Sequence, residues 1–215
     1  MNTSEAKRAS NRNLAESVCK ALESRGFFAQ YAENAEAACE RALEMIEDGA
    51  TVGIPGTVTV REIGLPERLE EKGCKISEHW LPDMTPAERE AALLGELEAD
   101  WFVTSANALA MDGTIVNIDG TGNRVAVMSW APGKILYIIG INKITSGVHS
   151  ALSRARSIAS PPNALRIGRK TPCTATGHCM DCNSPDRICR VVTMIERAPL
   201  GRECHVIIVG EELGY

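Results

Sequence analysis

The chain has 215 residues, of which 44% are apolar and 24% are charged, a composition that fits a globular domain and excludes a collagen, a coiled coil or a disordered tail. Its 23 Lys and Arg residues against 28 Asp and Glu residues give a formal net charge of −5, which argues against nucleic acid and anionic membrane as partners. Aromatic residues make up only 4% of the chain, too few for a base-stacking platform.

Apolar periodicity divides the chain into alternating helices and strands. In the first helix, Leu14, Val18 and Leu22 recur at helical spacing and Gly26 marks the stop. Helices are predicted over residues 4–24, 34–49, 58–72, 86–98, 125–130, 146–159 and 185–196, and strands over residues 27–32, 50–54, 74–78, 101–105, 114–118, 134–140 and 205–209. Because several strands are continuous apolar runs between helices, the sequence predicts an α/β fold with a mostly parallel sheet and helices on both faces.

Residues 1–215 are expected to form a single α/β domain, with a helical part at about residues 1–48. A Cys-rich segment at about residues 160–199 is expected to be an insertion near the C-terminus, because a core-type strand follows it. The N-terminus lacks the apolar region of a signal peptide, and no apolar run is long enough to span a bilayer. The sequence therefore predicts a cytoplasmic protein that does not enter a membrane.

The first candidate site is a turn between a strand and a helix. Gly53, Gly56, Thr57 and Thr59 lie in this turn, and in an open α/β sheet ligands bind where such strands end. A helix N-terminus there offers free N–H groups to an anion, and the Thr hydroxyls add hydrogen bonds. The alternative is an ordinary strand–helix turn with a Thr cap.

The second candidate site is the polar stretch NALAMDGTIVNIDGTGNR, at residues 107–124. Arg124 is expected to pair with a ligand carboxylate or phosphate through two parallel hydrogen bonds. The alternative is two tight turns whose side chains bond their own backbone. The candidate ligand-binding residues of this stretch are Asn107, Asp112, Asn117, Asp119, Gly120, Thr121, Asn123 and Arg124.

Four of the eight cysteines form a third candidate site. Cys173, Cys179, Cys182 and Cys189 include a Cys-x-x-Cys pair, and four thiolates suit zinc or an iron–sulfur cluster. His178 and Arg187 are placed to donate hydrogen bonds to such a site. A redox-active Cys179/Cys182 pair and unrelated buried thiols are the alternatives. The remaining cysteines, expected to pack in the core, are Cys19, Cys39, Cys74 and Cys204.

The sequence does not identify a catalytic residue. Neither a Ser-His-Asp nor a Cys-His arrangement appears, and no pair of carboxylates suggests an acid and a base. His79 and His149 are therefore expected to be surface residues or satisfied core residues.

Four stretches resemble the lactate-utilisation (LUD-domain) family: GIPGTVTVREIGL at 53–65, TSANALAMDGTIVNIDGTGNRVAVMSWAPGKILYIIGINKI at 104–144, PCTATGHCMDCNSPDRICR at 172–190 and VIIVGEELGY at 206–215. The resemblance implies the NagB/RpiA/CoA-transferase-like fold. Residues 106–127 also resemble a segment that lines the ligand site in sugar-phosphate isomerases of that fold. The catalytic acid of those isomerases and the nucleophilic glutamate of the CoA transferases are not evident, so neither activity carries over.

The family resemblance implies an accessory or subunit role in oxidation of lactate or a related 2-hydroxy acid, alongside iron–sulfur or oxidoreductase partner subunits. The chain resembles the cysteine-bearing branch of anaerobic bacteria, which implies an iron–sulfur cluster, [4Fe–4S], with zinc as the alternative. A small anionic metabolite is the expected ligand. The second hypothesis is a stand-alone enzyme or a sensor for a small phosphorylated or CoA-linked metabolite, with structural zinc. Activity of the chain alone and self-association into a homo-oligomer stay open.

Overall fold

The computed structural model describes residues 2–215. Its strands are β1 (Phe28–Ala32), β2 (Thr51–Gly53), β3 (Lys75–Ser77), β4 (Trp101–Thr104), β5 (Ala108–Ala110), β6 (Ile115–Asp119), β7 (Lys134–Gly140), β8 (Ile144–Thr145), β9 (Val191–Ile195) and β10 (Cys204–Val209). Its α-helices are α1 (Thr3–Glu23), α2 (Ala35–Met45), α3 (Val58–Glu62), α4 (Leu65–Glu71), α5 (Pro86–Glu98), α6 (Asn123–Ser129), α7 (Val148–Arg154), α8 (Ser160–Arg166) and α9 (Pro172–Thr176).

The main sheet has six strands in the order β1-β10-β7-β4-β2-β3, and every pairing is parallel. One face is buried under apolar side chains of α1 and α6, and the other under those of α2, α3 and α4. The neighbouring strands β10 and β7, both inside the sheet, are apolar on both faces because both faces are covered. The prediction of a mostly parallel sheet between helices is confirmed.

A second, smaller sheet has the order β8-β5-β6-β9, with β6 antiparallel to both β5 and β9. The sequence predicts a helix over residues 185–196, and this prediction is wrong because Val191–Ile195 forms β9. The β-branched residues of this run pair with β6 in a register that places Val191 opposite Asp119. This pairing of β9 with β6 holds the Cys-rich segment beside the polar end of β6.

Two helical predictions differ from the structure in where the helix ends. The helix predicted over residues 58–72 breaks into α3 and α4 at Gly64, which adopts φ 66°. The helix predicted to stop at residues 160–162 instead continues from α7 through a π-helical turn, Ala155–Ala159, into α8. Proline lacks an N–H group and is tolerated in the first turn of α8, after that wider turn. The continuation carries α8 over the sheet edge where β2, β4 and β7 end.

No helix within residues 2–215 is both long enough and apolar enough to cross a membrane.

Candidate functional site

A cavity of about 190 Å³ lies at the carboxyl ends of β2, β4 and β7. The loops that follow these strands form its floor, and α8 forms part of its wall. Both polar stretches singled out in the sequence contribute to it. The candidate residues that line the cavity are Gly56, Thr57, Thr59, Asn107, Asp119, Gly120, Thr121, Asn123 and Arg124.

The deepest cation of the cavity is Lys143, which sequence reasoning missed. It ends a 3₁₀ turn after β7 and is only 4% exposed. Its ammonium group donates to the hydroxyl of Thr59 at 2.8 Å and to the hydroxyl of Ser105 at 3.0 Å. Neither partner carries charge, so a third N–H group and the net charge of the ammonium are left for a ligand.

Burial is the main reason why the pKa of Lys143 falls from 10.5 to about 7. The positive charges of Arg154 and Arg124 lower it further, and Glu62 opposes them. A buried ammonium without an anionic partner is costly to the folded protein. An anion bound beside Nζ would supply the missing charge.

The remaining charges on the cavity wall are also mostly positive. Arg89, Arg166 and Arg169 line it, and none of them forms an ion pair with an acidic side chain among residues 2–215. Within the same described residues, Asp119 is the only acidic side chain of the wall, and it pairs with Arg124. A chain with a net charge of −5 thus concentrates unpaired cations in one cavity, which favours an anionic ligand.

The expectation that Arg124 pairs with a ligand through two hydrogen bonds needs correction. Its Nε donates to Asp119 at 3.2 Å and one terminal nitrogen to Asn117 at 3.1 Å. The other terminal nitrogen donates to Asn107 at 3.1 Å and to the carbonyl of Ile118 at 2.9 Å. Four of the five N–H groups of the guanidinium are therefore used inside the protein. Arg124 holds the end of β6 in place and has too few free donors for a bidentate contact.

Three candidate residues do not line the cavity. Asp112 lies at the opposite end of β6, where it accepts from the Thr114 N–H group at 2.9 Å and pairs with Arg25 at 3.0 Å. Asn117 is fully buried behind the wall and supports Asn107 and Arg124. Gly53 is a packing glycine, because a Cβ there would collide with the backbone of Glu96. The absence of a side chain lets α5 approach β2.

At Gly56, the space that a side chain would need is occupied by Trp80. A Cβ on Gly56 would collide with the indole of Trp80, whose ring also faces the guanidinium of Arg166 at 5.3 Å. The expected helix N-terminus at this turn is short, since α3 has 5 residues, and the Thr57 N–H group is used by the Pro55 carbonyl. Lys143, rather than the end of α3, therefore provides the positive charge of this wall.

The four cysteines of the third candidate site surround a second, smaller cavity. Cys173, Cys179, Cys182 and Cys189 all line it and are partly exposed, although α9 and the following loop bring them from different positions. Within residues 2–215, no three His, Cys, Asp or Glu side chains converge closely enough to hold a single metal ion. The thiols thus share one cavity without forming a tight tetrahedron.

Two arginines complete the wall of the cysteine cavity. Arg187 donates to the carbonyls of Cys182 at 2.6 Å and Cys189 at 2.7 Å, and it pairs with Asp181 at 2.8 Å. Arg156 also lines the cavity, and its buried Nε has no hydrogen-bond partner within residues 2–215. The cysteine cavity is thus lined by four thiols, two cationic side chains and one unpartnered N–H donor.

The other four cysteines differ from this set by lying in the core. Cys19, Cys39, Cys74 and Cys204 are buried among apolar side chains. Burial raises the pKa of Cys19 to about 11 and that of Cys204 to about 12. All four thiols are therefore packing groups of the core.

The cavity around Lys143, called the cationic cavity below, adjoins the cysteine cavity, which the four thiols line. Ser160 and Ile188 line both, and a Cβ added at Gly120 would lie 3.5 Å from the carbonyl oxygen of Ile188. A ligand in the first cavity and a cluster in the second would be separated only by this shared wall.

Two comparisons with known proteins give matches that cover most of the chain. The family model described as the LUD domain matches residues 15–209. Among solved structures, a DUF162 family protein from Deinococcus radiodurans is similar at a TM-score of 0.51 and 15% identity, over 94% of this chain and 98% of that one. The translation initiation factor eIF-2B of Pyrococcus horikoshii is similar at a TM-score of 0.35 and 13% identity, over 51% of this chain and 46% of that one. No match was found among curated proteins.

Proposed function

Since the chain belongs to the LUD-domain family, we propose that this lactate-utilisation-type protein binds a small anionic metabolite, lactate or a related 2-hydroxy acid, and serves as a component of its oxidation. The observation that carries the proposal is Lys143, a buried ammonium that has only hydroxyl partners and faces the cavity. A ligand carboxylate beside Nζ would neutralise it. Arg89, Arg166 and Arg169 add attraction for an anion at the same wall.

The proposal includes a [4Fe–4S] cluster on Cys173, Cys179, Cys182 and Cys189. Cysteines that surround one cavity without converging on a point suit a cluster, whose ligands bind different irons, better than a single zinc ion. Arg156 and Arg187 would stabilise its negative charge. When bound, such a cluster supplies one-electron transfer.

An oxidoreductase or iron–sulfur partner subunit belongs to the same proposal. Oxidation of a 2-hydroxy acid releases two electrons, whereas one cluster carries them singly, so a further carrier is needed. Exposed apolar residues of β9 and its surroundings, among them Met180 and Met194, lie near the cysteine segment.

Calorimetric titration with lactate and with inorganic phosphate tests the ligand. We expect saturable binding to the wild type and a loss of about 10- to 100-fold in affinity for K143M, the usual effect of removing a hydrogen bond to a charged group. K7M is the matched control, because Lys7 is exposed on α1, away from the cavity. Equal affinity in K143M and K7M would contradict the proposal.

Anaerobic purification followed by iron, sulfide and zinc analysis tests the cluster. We expect iron and sulfide in the wild type and a sharp loss of both in the double variant C179S/C182S. The control is C19S/C39S, which changes two core thiols and should keep its iron. Colourless wild-type protein with one zinc per chain would favour the enzyme or sensor with a structural zinc instead.

A further inference from the structure

His79 lines the cationic cavity and pairs with the buried carboxylate of Glu96, which lies behind the wall. His79 follows β3 and is 6% exposed, and Glu96 lies on α5 and is 1% exposed. The Nδ1 atom of His79 lies 2.5 Å from Oε1 of Glu96, and the His79 backbone N–H group donates to the same oxygen at 3.0 Å. One carboxylate oxygen therefore fixes both the backbone and the ring.

The fold brings Glu96 to this position through two close helix–strand contacts. A Cβ at Gly53 would collide with the backbone of Glu96, and one at Gly95 would collide with the hydroxyl of Ser77. Both glycines allow α5 to lie directly against β2 and β3. The Glu96 side chain thereby reaches the ring of His79, on the side away from the cavity lining.

The opposite nitrogen of the ring is free. Within residues 2–215 the Nε2 atom of His79 has no hydrogen-bond partner and is not sealed from solvent, and His79 lines the cavity. With a carboxylate holding Nδ1–H, the neutral ring carries its lone pair on Nε2. A carboxylate that orients a histidine in this way is a recurrent arrangement for proton transfer.

We propose that His79, oriented by Glu96, is the group of this cavity that receives the hydroxyl hydrogen of a bound 2-hydroxy carboxylate. This assignment rests on the proposed function, in which Lys143 holds the ligand carboxylate. In the complex the ligand hydroxyl donates a hydrogen bond to Nε2. In the proton transfer the O–H bond breaks, its electron pair stays on the ligand oxygen, and an Nε2–H bond forms from the imidazole lone pair. Glu96 then faces a positively charged ring and stabilises it.

The test compares two acids that differ only in the hydroxyl group, lactate and propionate. Wild-type protein is expected to bind lactate about tenfold more tightly, the effect of one hydrogen bond. In H79N the Asn amide still reaches Glu96 but lacks Nε2. H79N is expected to bind propionate as the wild type does and to lose the preference for lactate. H149N, at an exposed position on α7, is the control and should keep the preference.

E96Q tests the positioning role of the carboxylate. It is expected to reduce the lactate-to-propionate ratio while leaving propionate affinity unchanged, which a purely structural defect would not do. A measurement on the wild type does not depend on the folding of any variant. With ¹⁵N-labelled histidine, the Nε2 resonance of His79 should shift on addition of lactate and not of propionate.

The outcomes separate the two levels of the proposal. Binding of neither acid to the wild type overturns the proposed function together with this assignment. Equal binding of both acids, an unchanged preference in H79N, or an Nε2 resonance that ignores lactate overturns the assignment alone.

Discussion

The ammonium group of Lys143 lies 2.8 Å from the hydroxyl of Thr59, although 84 residues separate the two in the chain. Thr59 belongs to α3, which follows β2, and Lys143 ends the turn that follows β7. Their contact joins two strand ends on either side of β4, and Ser105 after β4 completes it at 3.0 Å. The cavity floor is therefore built around one buried cation.

Anion binding should weaken as the pH rises through about 7, because burial lowers the pKa of Lys143 to that value and the neutral amine attracts anions less. Phosphate changes its own charge in this range, so titration with lactate from pH 6 to pH 9 is the measurement. K143M should show weak binding with no such pH dependence. A wild-type profile that is flat across this window would contradict the buried position of the charge.

The same group should make stability depend on pH. The unfolded chain binds the Lys143 proton up to its ordinary pKa of 10.5, whereas the folded protein releases it above about 7. Because the unfolded state holds more protons between these values, the wild type should gain stability relative to K143M as the pH rises from 7 to 10. Urea unfolding of both proteins at several pH values measures this difference. A free energy of unfolding that falls in the wild type relative to K143M between pH 7 and pH 10 would refute the prediction.

R124A should damage the fold as well as the site, since Arg124 makes four hydrogen bonds to the end of β6 and to Asn107. We expect a loss of about 3 kcal/mol in the free energy of unfolding, as for breaking a largely buried pair. R12A is the control. It removes an exposed ion pair with Glu16 and should cost less than about 1 kcal/mol. Similar stability in the two variants would contradict the structural role assigned to Arg124.

G56A should displace Trp80, because a methyl group at this position would overlap the indole ring. The indole is the end of a flexible side chain, so the cost should be modest, at about 1 kcal/mol. The indole N–H resonance of Trp80, identified with W80F, should shift in G56A. G147A, where an added Cβ meets nothing, should leave it in place. An unmoved resonance in G56A would mean that the turn, rather than Trp80, gives way.

R187A should loosen the cysteine segment, because Arg187 donates to the carbonyls of Cys182 and Cys189 and so closes the loop between them. Hydrogen exchange of amides in residues 178–190 should accelerate about tenfold, as for the loss of roughly 1–2 kcal/mol of local hydrogen bonding. R197A is the control, since Arg197 is exposed and makes no side-chain hydrogen bond within residues 2–215. Equal exchange in both variants would assign the loop closure to other contacts.

The sequence alone determined the parallel α/β sheet, because continuous apolar strands between amphipathic helices have few other ways to bury both faces. It also determined membership of the LUD-domain family, since the residues that carry the resemblance lie in uninterrupted stretches. The strand at residues 191–195 was not predicted from the sequence. Val191, Val192 and Ile195 also fit a helical pattern, and only pairing with β6 decides between the two.

Only the tertiary structure decided which charges face the cavity. Arg124 reads as a ligand-binding residue in the sequence, yet its donors are taken by Asn107, Asn117 and Asp119 once β6 and the loop before β5 come together. Lys143 reads as an ordinary lysine, and burial between three strand ends makes it the central cation. His79 and Glu96 are 17 residues apart and become a pair because glycines let α5 press against the sheet. Local periodicity records which face of an element is buried, whereas the partner of a polar group depends on distances between elements that are remote in the chain.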